Sequence, residues 1–91
     1  MQFEWDEKKA ISNLAKHDVA FDEASTVFGD PLSLTILEPL HSQEEDRFVT
    51  IGMSTRAHTL VVVHTDRGDR VRIISARRAT RHEVRDYERG V

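Results

Sequence analysis

Ninety-one residues, 38 % hydrophobic and 32 % charged, make enough chain for one small core and too little for two, which excludes a multidomain enzyme and predicts a single domain over residues 1–91. The absence of cysteine removes disulfides, zinc ribbons and thiol nucleophiles together. Net charge is only −3, yet it divides sharply: residues 1–46 carry three lysines against eleven acids, whereas residues 47–91 carry ten arginines, no lysine and five acids. Arginine alone supplies the cations of the second half, and its planar fork suits bidentate contact with phosphate or carboxylate. The plainer alternative is that the two halves fold together and neutralise each other in surface pairs of small individual worth.

In chain order, Gln2 to Trp5 forms a short β segment, and Asp6 is a good N-cap for a helix over about 7–16 with Ala10, Ile11, Leu14 and Ala15 at helical spacing. Asp18 occupies the position where a helix end favours a left-handed residue. A short second helix over 21–28 is stopped by Gly29, Asp30 and Pro31. The period then changes to two. Strands are predicted over 32–37, 47–54, 59–65 and 70–76, with the continuous apolar run at 59–65 placed centrally and covered on both faces. Thr80-Arg81-His82-Glu83 is a capping box that opens a last helix, with Val84 and Tyr87 on one face, Arg81, Arg85 and Arg89 on another, and Gly90 at its end. The order predicts an α+β fold: an antiparallel sheet of about four strands with helices packed on one face.

Strict alternation in the last strand sends Val71, Ile73 and Ser75 towards the helices and Arg70 and Arg72 to the opposite face. Arg77, Arg78 and Arg81 continue the positive charge through the turn, so five arginines fall within twelve positions of a strand-turn-helix corner able to cradle phosphates. His41 and Glu45, in the polar run ahead of Arg47, are candidate general bases. His64 reads as a packed, hydrogen-bonded histidine, and His58 and His82 as surface positions. The five histidines lack H-x-x-x-H spacing and no EF-hand or Walker pattern occurs, so neither metal nor cofactor is expected. MQFEWDEKK has no signal-peptide core, and no apolar run approaches roughly 20 residues; a cytoplasmic chain without membrane contact is expected.

FEWDEKKAISNLAKHDVAFDEASTVFGDP, HSQEEDRFVTIGMS, LVVVHTDRGDRVRIISARRAT and EVRDYERG together resemble the BrnT toxin family of bacterial type II toxin-antitoxin modules, over nearly the whole chain. Asp18, where Gly is usual, and Ala20, where Ser or Thr caps the second helix, depart from the pattern. The resemblance implies a compact RelE-like fold and a ribonuclease that arrests translation. It also implies an adjacent DNA-binding antitoxin, BrnA, which inactivates the toxin and with it represses their promoter, so that DNA is met only through the complex. From side-chain chemistry, Arg72, Arg77 and Arg78 are expected to stabilise charge on the reacting phosphate, with Glu45 or His41 as base and Tyr87 stacking on a nucleobase or donating to the leaving oxygen. Arg47, Arg70, Arg81 and Arg85 are expected to hold the RNA backbone. The rival expectation is a non-catalytic binding module that pairs with a DNA-binding antitoxin and assists repression.

Overall fold

A computed structural model describes residues 1–38 and 46–90. Gln2–Glu4 forms β1, and Asp6 then caps α1 (Glu7–His17) by accepting hydrogen bonds from the backbone N–H groups of Lys8 and Lys9. Asp18 closes α1 in the left-handed region at φ 56°, donating its N–H to the Leu14 carbonyl as the sequence anticipates. The second helix splits into α2 (Phe21–Thr26) and a 3₁₀ turn (Val27–Gly29); Ala20, at its N-cap, offers no side-chain acceptor. β2 (Leu34–Leu37), β3 (Phe48–Met53), β4 (Thr59–Arg67) and β5 (Arg70–Arg78) follow. The chain turns into α3 (Arg81–Arg89), whose capping box is complete: Thr80 Oγ1 accepts from the Glu83 N–H and Glu83 accepts from the Thr80 N–H.

The sheet has five strands in the order β1-β5-β4-β3-β2. It is mixed, because β1 pairs parallel with β5, which corrects the expected four-stranded antiparallel sheet; three residues are too few to show a period, and their partner lies almost seventy positions away. The central position of β4 is as predicted, with Leu60, Val61 and Val62 all buried. Val19, Phe21, Ala24 and Val27 pack on Leu60, Val62, Ile73 and Ala76 to make the core on one face of the sheet. The third helix is not there. Glu83 and Asp86 of α3 border the opposite face beside Leu34, Val49, Ile51 and Val61, so the helices do not all share one side.

Two features set the direction of the arginines on β5. Pairing passes from Val63 with Ser75 to His64 with Ile73, leaving Ile74 as an extra residue. The bulge shifts the alternation by one, so Val71, Ile73 and Ala76 are buried towards the helices, and Ser75 lies with Arg72 and Arg77 on the far face, not with Val71 and Ile73. Beyond the reach of β1, the edge of β5 is closed by a side chain: Asn13 of α1 donates to the carbonyls of Ala76 (2.8 Å) and Val19 (3.0 Å) and accepts from the Ala76 N–H (3.1 Å). A buried amide here satisfies both hydrogen-bonding groups of one strand residue.

Candidate active site

The pleat of β5 sends its last two arginines to different sides. Arg77, on the far face, binds Glu83 through two nitrogens at 2.8 Å each. Those hydrogen bonds hold the Glu83 carboxyl at about 2, well below its ordinary value, against the opposing effect of partial burial. His17, at the end of α1, lines the same concavity of about 450 Å³ together with Ser75, Arg77, Glu83 and Glu38.

Arg78 is exposed at the rim of the sheet, and its guanidinium lies 3.2 Å from His58 Nε2. His58 belongs to the turn that joins β3 to β4, and its Nδ1 lies 2.9 Å from Glu23 Oε2 on α2. The Glu23 side chain is only 7 % exposed and also accepts from Ser54 Oγ at 2.6 Å, with Arg56 3.9 Å from its other oxygen. Burial raises the pKa of Glu23, but the hydrogen bonds from Ser54 and His58 outweigh it and the net shift is downward, so the group is a carboxylate. Ser54, Glu23, His58 and Arg78 therefore form one continuous chain of contacts ending at a water-exposed guanidinium. His58 is half-buried and bonded, not the plain surface residue that sequence suggests.

The expected site residues are thus spread over several places. Arg72 donates to Glu4 at 2.7 Å and Arg70 lies 3.7 Å from the same carboxylate, at the β1 end of the strand. Six residues of β-strand place Arg72 about 20 Å from Arg78. Arg81 and Arg85 are exposed on α3, and Arg47 is half-buried at the entry to β3. Tyr87 is 8 % exposed, and its hydroxyl donates to Asp30, which also accepts from the Met53 and Leu32 N–H groups. The expected stacking or proton-donating role of Tyr87 is not what this geometry offers; its ring packs and its hydroxyl pins α3 to the turn after α2. His41 and Glu45 lie outside the described residues. His64 is the packed histidine expected, bonded through Nε2 to Thr50 Oγ1 at 2.7 Å, edge-on to Phe28 and stacked on Phe48. Among the described residues, no three His, Asp or Glu side chains are grouped to hold a metal ion.

Sequence reading missed Glu23 and His58 because 35 positions separate them and neither sits in a motif. His17 falls within the FEWDEKKAISNLAKHDVAFDEASTVFGDP segment that carries the resemblance.

A family model described as "Ribonuclease toxin, BrnT, of type II toxin-antitoxin system" matches residues 5–83. The chain belongs to the BrnT family. It is thereby a ribonuclease toxin of a type II toxin-antitoxin system, and membership implies an antitoxin partner. The fold is similar to that in the 1.1 Å crystal structure of the Brucella abortus ribonuclease toxin BrnT, with a TM-score of 0.66 and 24 % identity over 89 % of this chain and 99 % of that one. No curated protein matches. Among the described residues, no helix is long and apolar enough to cross a membrane.

Proposed function

We propose that this BrnT-family chain is a metal-independent endoribonuclease on a RelE-like scaffold that arrests translation in the cytoplasm and is neutralised by a BrnA-like antitoxin. The observation that carries this reading is the β5–α3 corner, where the exposed Arg78 guanidinium stands beside an imidazole and the arginine-bearing first turn of α3 follows three residues on. Attack of a ribose 2′-oxygen on the adjacent phosphate builds negative charge on the phosphate oxygens, and fixed cations at that point are the largest aid a protein can give. Arg78 and Arg81 serve there. Arg77, braced by Glu83 on the far side, positions the corner; Arg85 contacts the RNA further along, while Arg70 and Arg72 stay on Glu4. Tyr87 has a packing role. An antitoxin that lays its own carboxylates over the exposed arginines inhibits by occupying them.

Purified protein is expected to cut RNA in excess EDTA, leaving 2′,3′-cyclic phosphate and 5′-hydroxyl ends. The double variant Arg78→Ala/Arg81→Ala should cut at least about 100-fold more slowly, with an unchanged circular-dichroism spectrum. Cutting that appears only with added metal, or cutting of DNA, counts against the reading. One observation favours the binding-module alternative: Arg70, Arg72 and Arg77 are already joined to carboxylates of the same chain, as a scaffold would leave them. Expression without the antitoxin separates the two, since a nuclease stops growth and a scaffold does not.

A further inference from the structure

We infer that His58 is the base that takes the 2′-hydroxyl proton, that Glu23 orients it, and that Arg78 covers its lone pair until a phosphate draws the guanidinium away. This rests on the reading that the chain cleaves RNA by 2′-oxygen attack, and it names the proton acceptor of that same site.

The tautomer follows from hydrogen-bond chemistry. A guanidinium can only donate, so its 3.2 Å contact makes His58 Nε2 an acceptor. The ring proton is then on Nδ1, where it is donated to Glu23 at 2.9 Å. A buried carboxylate behind one nitrogen and an accepting lone pair at the other, once Arg78 leaves it, is the arrangement that a general base requires. The supporting turn is built for it. Ser54 Oγ, while donating to Glu23, accepts from the N–H groups of Arg56 (3.2 Å) and His58 (3.3 Å), and the Ser54 N–H binds the His58 carbonyl at 2.8 Å. Ala57 is held at φ 63°, a left-handed conformation costly for a residue with a Cβ, and the next residue is His58. No other described histidine has this setting: His64 is 4 % exposed with Thr50 at Nε2, His82 is on the surface 3.6 Å from Asp86, and His17 is exposed with no carboxylate among the described residues in hydrogen-bond reach. The His58 side chain is 29 % exposed and can be reached.

In the cleavage step Arg78 turns from Nε2 to a phosphate oxygen and uncovers the lone pair. The O2′–H bond breaks and its proton goes to Nε2; O2′ bonds to phosphorus; the P–O5′ bond breaks, and O5′ takes a proton from water. The hydroxide so formed is neutralised by the His58 proton, so the net change is one proton moved from O2′ to O5′, with no oxidant or metal required. The carboxylate of Glu23 stabilises the imidazolium while it exists.

The test compares wild type, His58→Gln and Glu23→Gln in single-turnover cleavage of an RNA oligonucleotide with EDTA present, beside long-range ¹H–¹⁵N spectra of the wild type alone and with a 2′-O-methyl oligonucleotide that cannot react. Expected are a loss in the single-turnover rate constant of about 100-fold or more for His58→Gln and about 10-fold or more for Glu23→Gln, with the half-saturating concentration within about three-fold in both. The spectra should report an Nδ1–H His58 in the free protein, and an Arg78 Nε signal that shifts with the oligonucleotide. A wild type that cuts while His58→Gln cuts equally fast overturns the assignment and leaves the nuclease reading standing. An Nε2–H tautomer overturns it whether or not His58→Gln folds. A wild type that does not cut RNA removes the nuclease reading and this one with it.

Discussion

Tyr87 and Asp30 illustrate how a residue that looks chemical can be structural. Burial pushes the Asp30 carboxyl up, but hydrogen bonds from Tyr87 and from the Met53 and Leu32 backbones bring its net pKa below the ordinary value, while the same contact raises the phenol to about 12. Tyr87→Phe removes one hydrogen bond to a charged acceptor and should cost about 1.5 kcal/mol in urea unfolding, with RNA cleavage within two-fold of wild type. A ten-fold loss of cleavage at normal stability would restore the substrate-facing role. Glu83 makes a different prediction. Unfolded, it binds a proton near its ordinary 4.5, but folded only near 2, so between those values unfolding takes up a proton and acid favours the unfolded chain. The stabilisation is present at pH 6 and lost as pH falls through 2. With Arg77 42 % exposed, solvent reduces it to about 1 kcal/mol. Glu83→Gln, which keeps the capping geometry, should be less stable than wild type by about that amount at pH 6, and the gap in unfolding midpoints should close near pH 2.

At the scale of elements, the helices were legible because their signals are local. Asp6 and Thr80 cap, Asp18 ends α1, and the stripe on α3 buries Tyr87 while leaving Arg81, Arg85 and Arg89 in water. The parallel pairing of β1 with β5 and the bulge at Ile74 were not, since each depends on what a distant strand does. Asn13 belongs with them: from sequence it is one polar residue in an amphipathic helix, and only the packed structure shows it working as a strand partner. Asn13→Ala leaves the Ala76 N–H and carbonyl buried without partners, and should destabilise by about 2–4 kcal/mol. Thermal unfolding measures this; a loss under 0.5 kcal/mol would mean that water replaces the amide. Gly52 is tighter still, because a Cβ there would sit 2.8 Å from Val27 Cγ1 and 2.9 Å from Ser33 Cβ.

Across the whole molecule, the division of charge is partly spent internally. Glu4 meets Arg70 and Arg72, and Glu23 meets Arg56, so acids of the first half do neutralise arginines of the second. That fold-back is an explicit alternative in the sequence, but which arginines are engaged is not, because pairing is decided by the bulge, by β1 and by the docking of the β3–β4 turn on α2. The candidate site was legible only in its cationic part: Arg78 and Arg81 stand in a continuous motif, whereas His58 and Glu23 come from two further elements. The surplus that remains predicts a modest dependence of RNA binding on salt. Three phosphate contacts, by Arg78, Arg81 and Arg85, give a slope of about −2 in log affinity against log salt for single-stranded RNA. A slope steeper than about −4 would show that Arg70, Arg72 and Arg77 abandon their carboxylates on binding.

The divergence of Arg77 and Arg78 gives two neighbours in the chain separate audiences. No single phosphate can be gripped by both unless the strand unpleats, so a ligand touching both must bend around the border of the sheet. A dinucleotide should therefore sense a substitution at 78 more strongly than one at 77, whereas a protein large enough to wrap that border would register each.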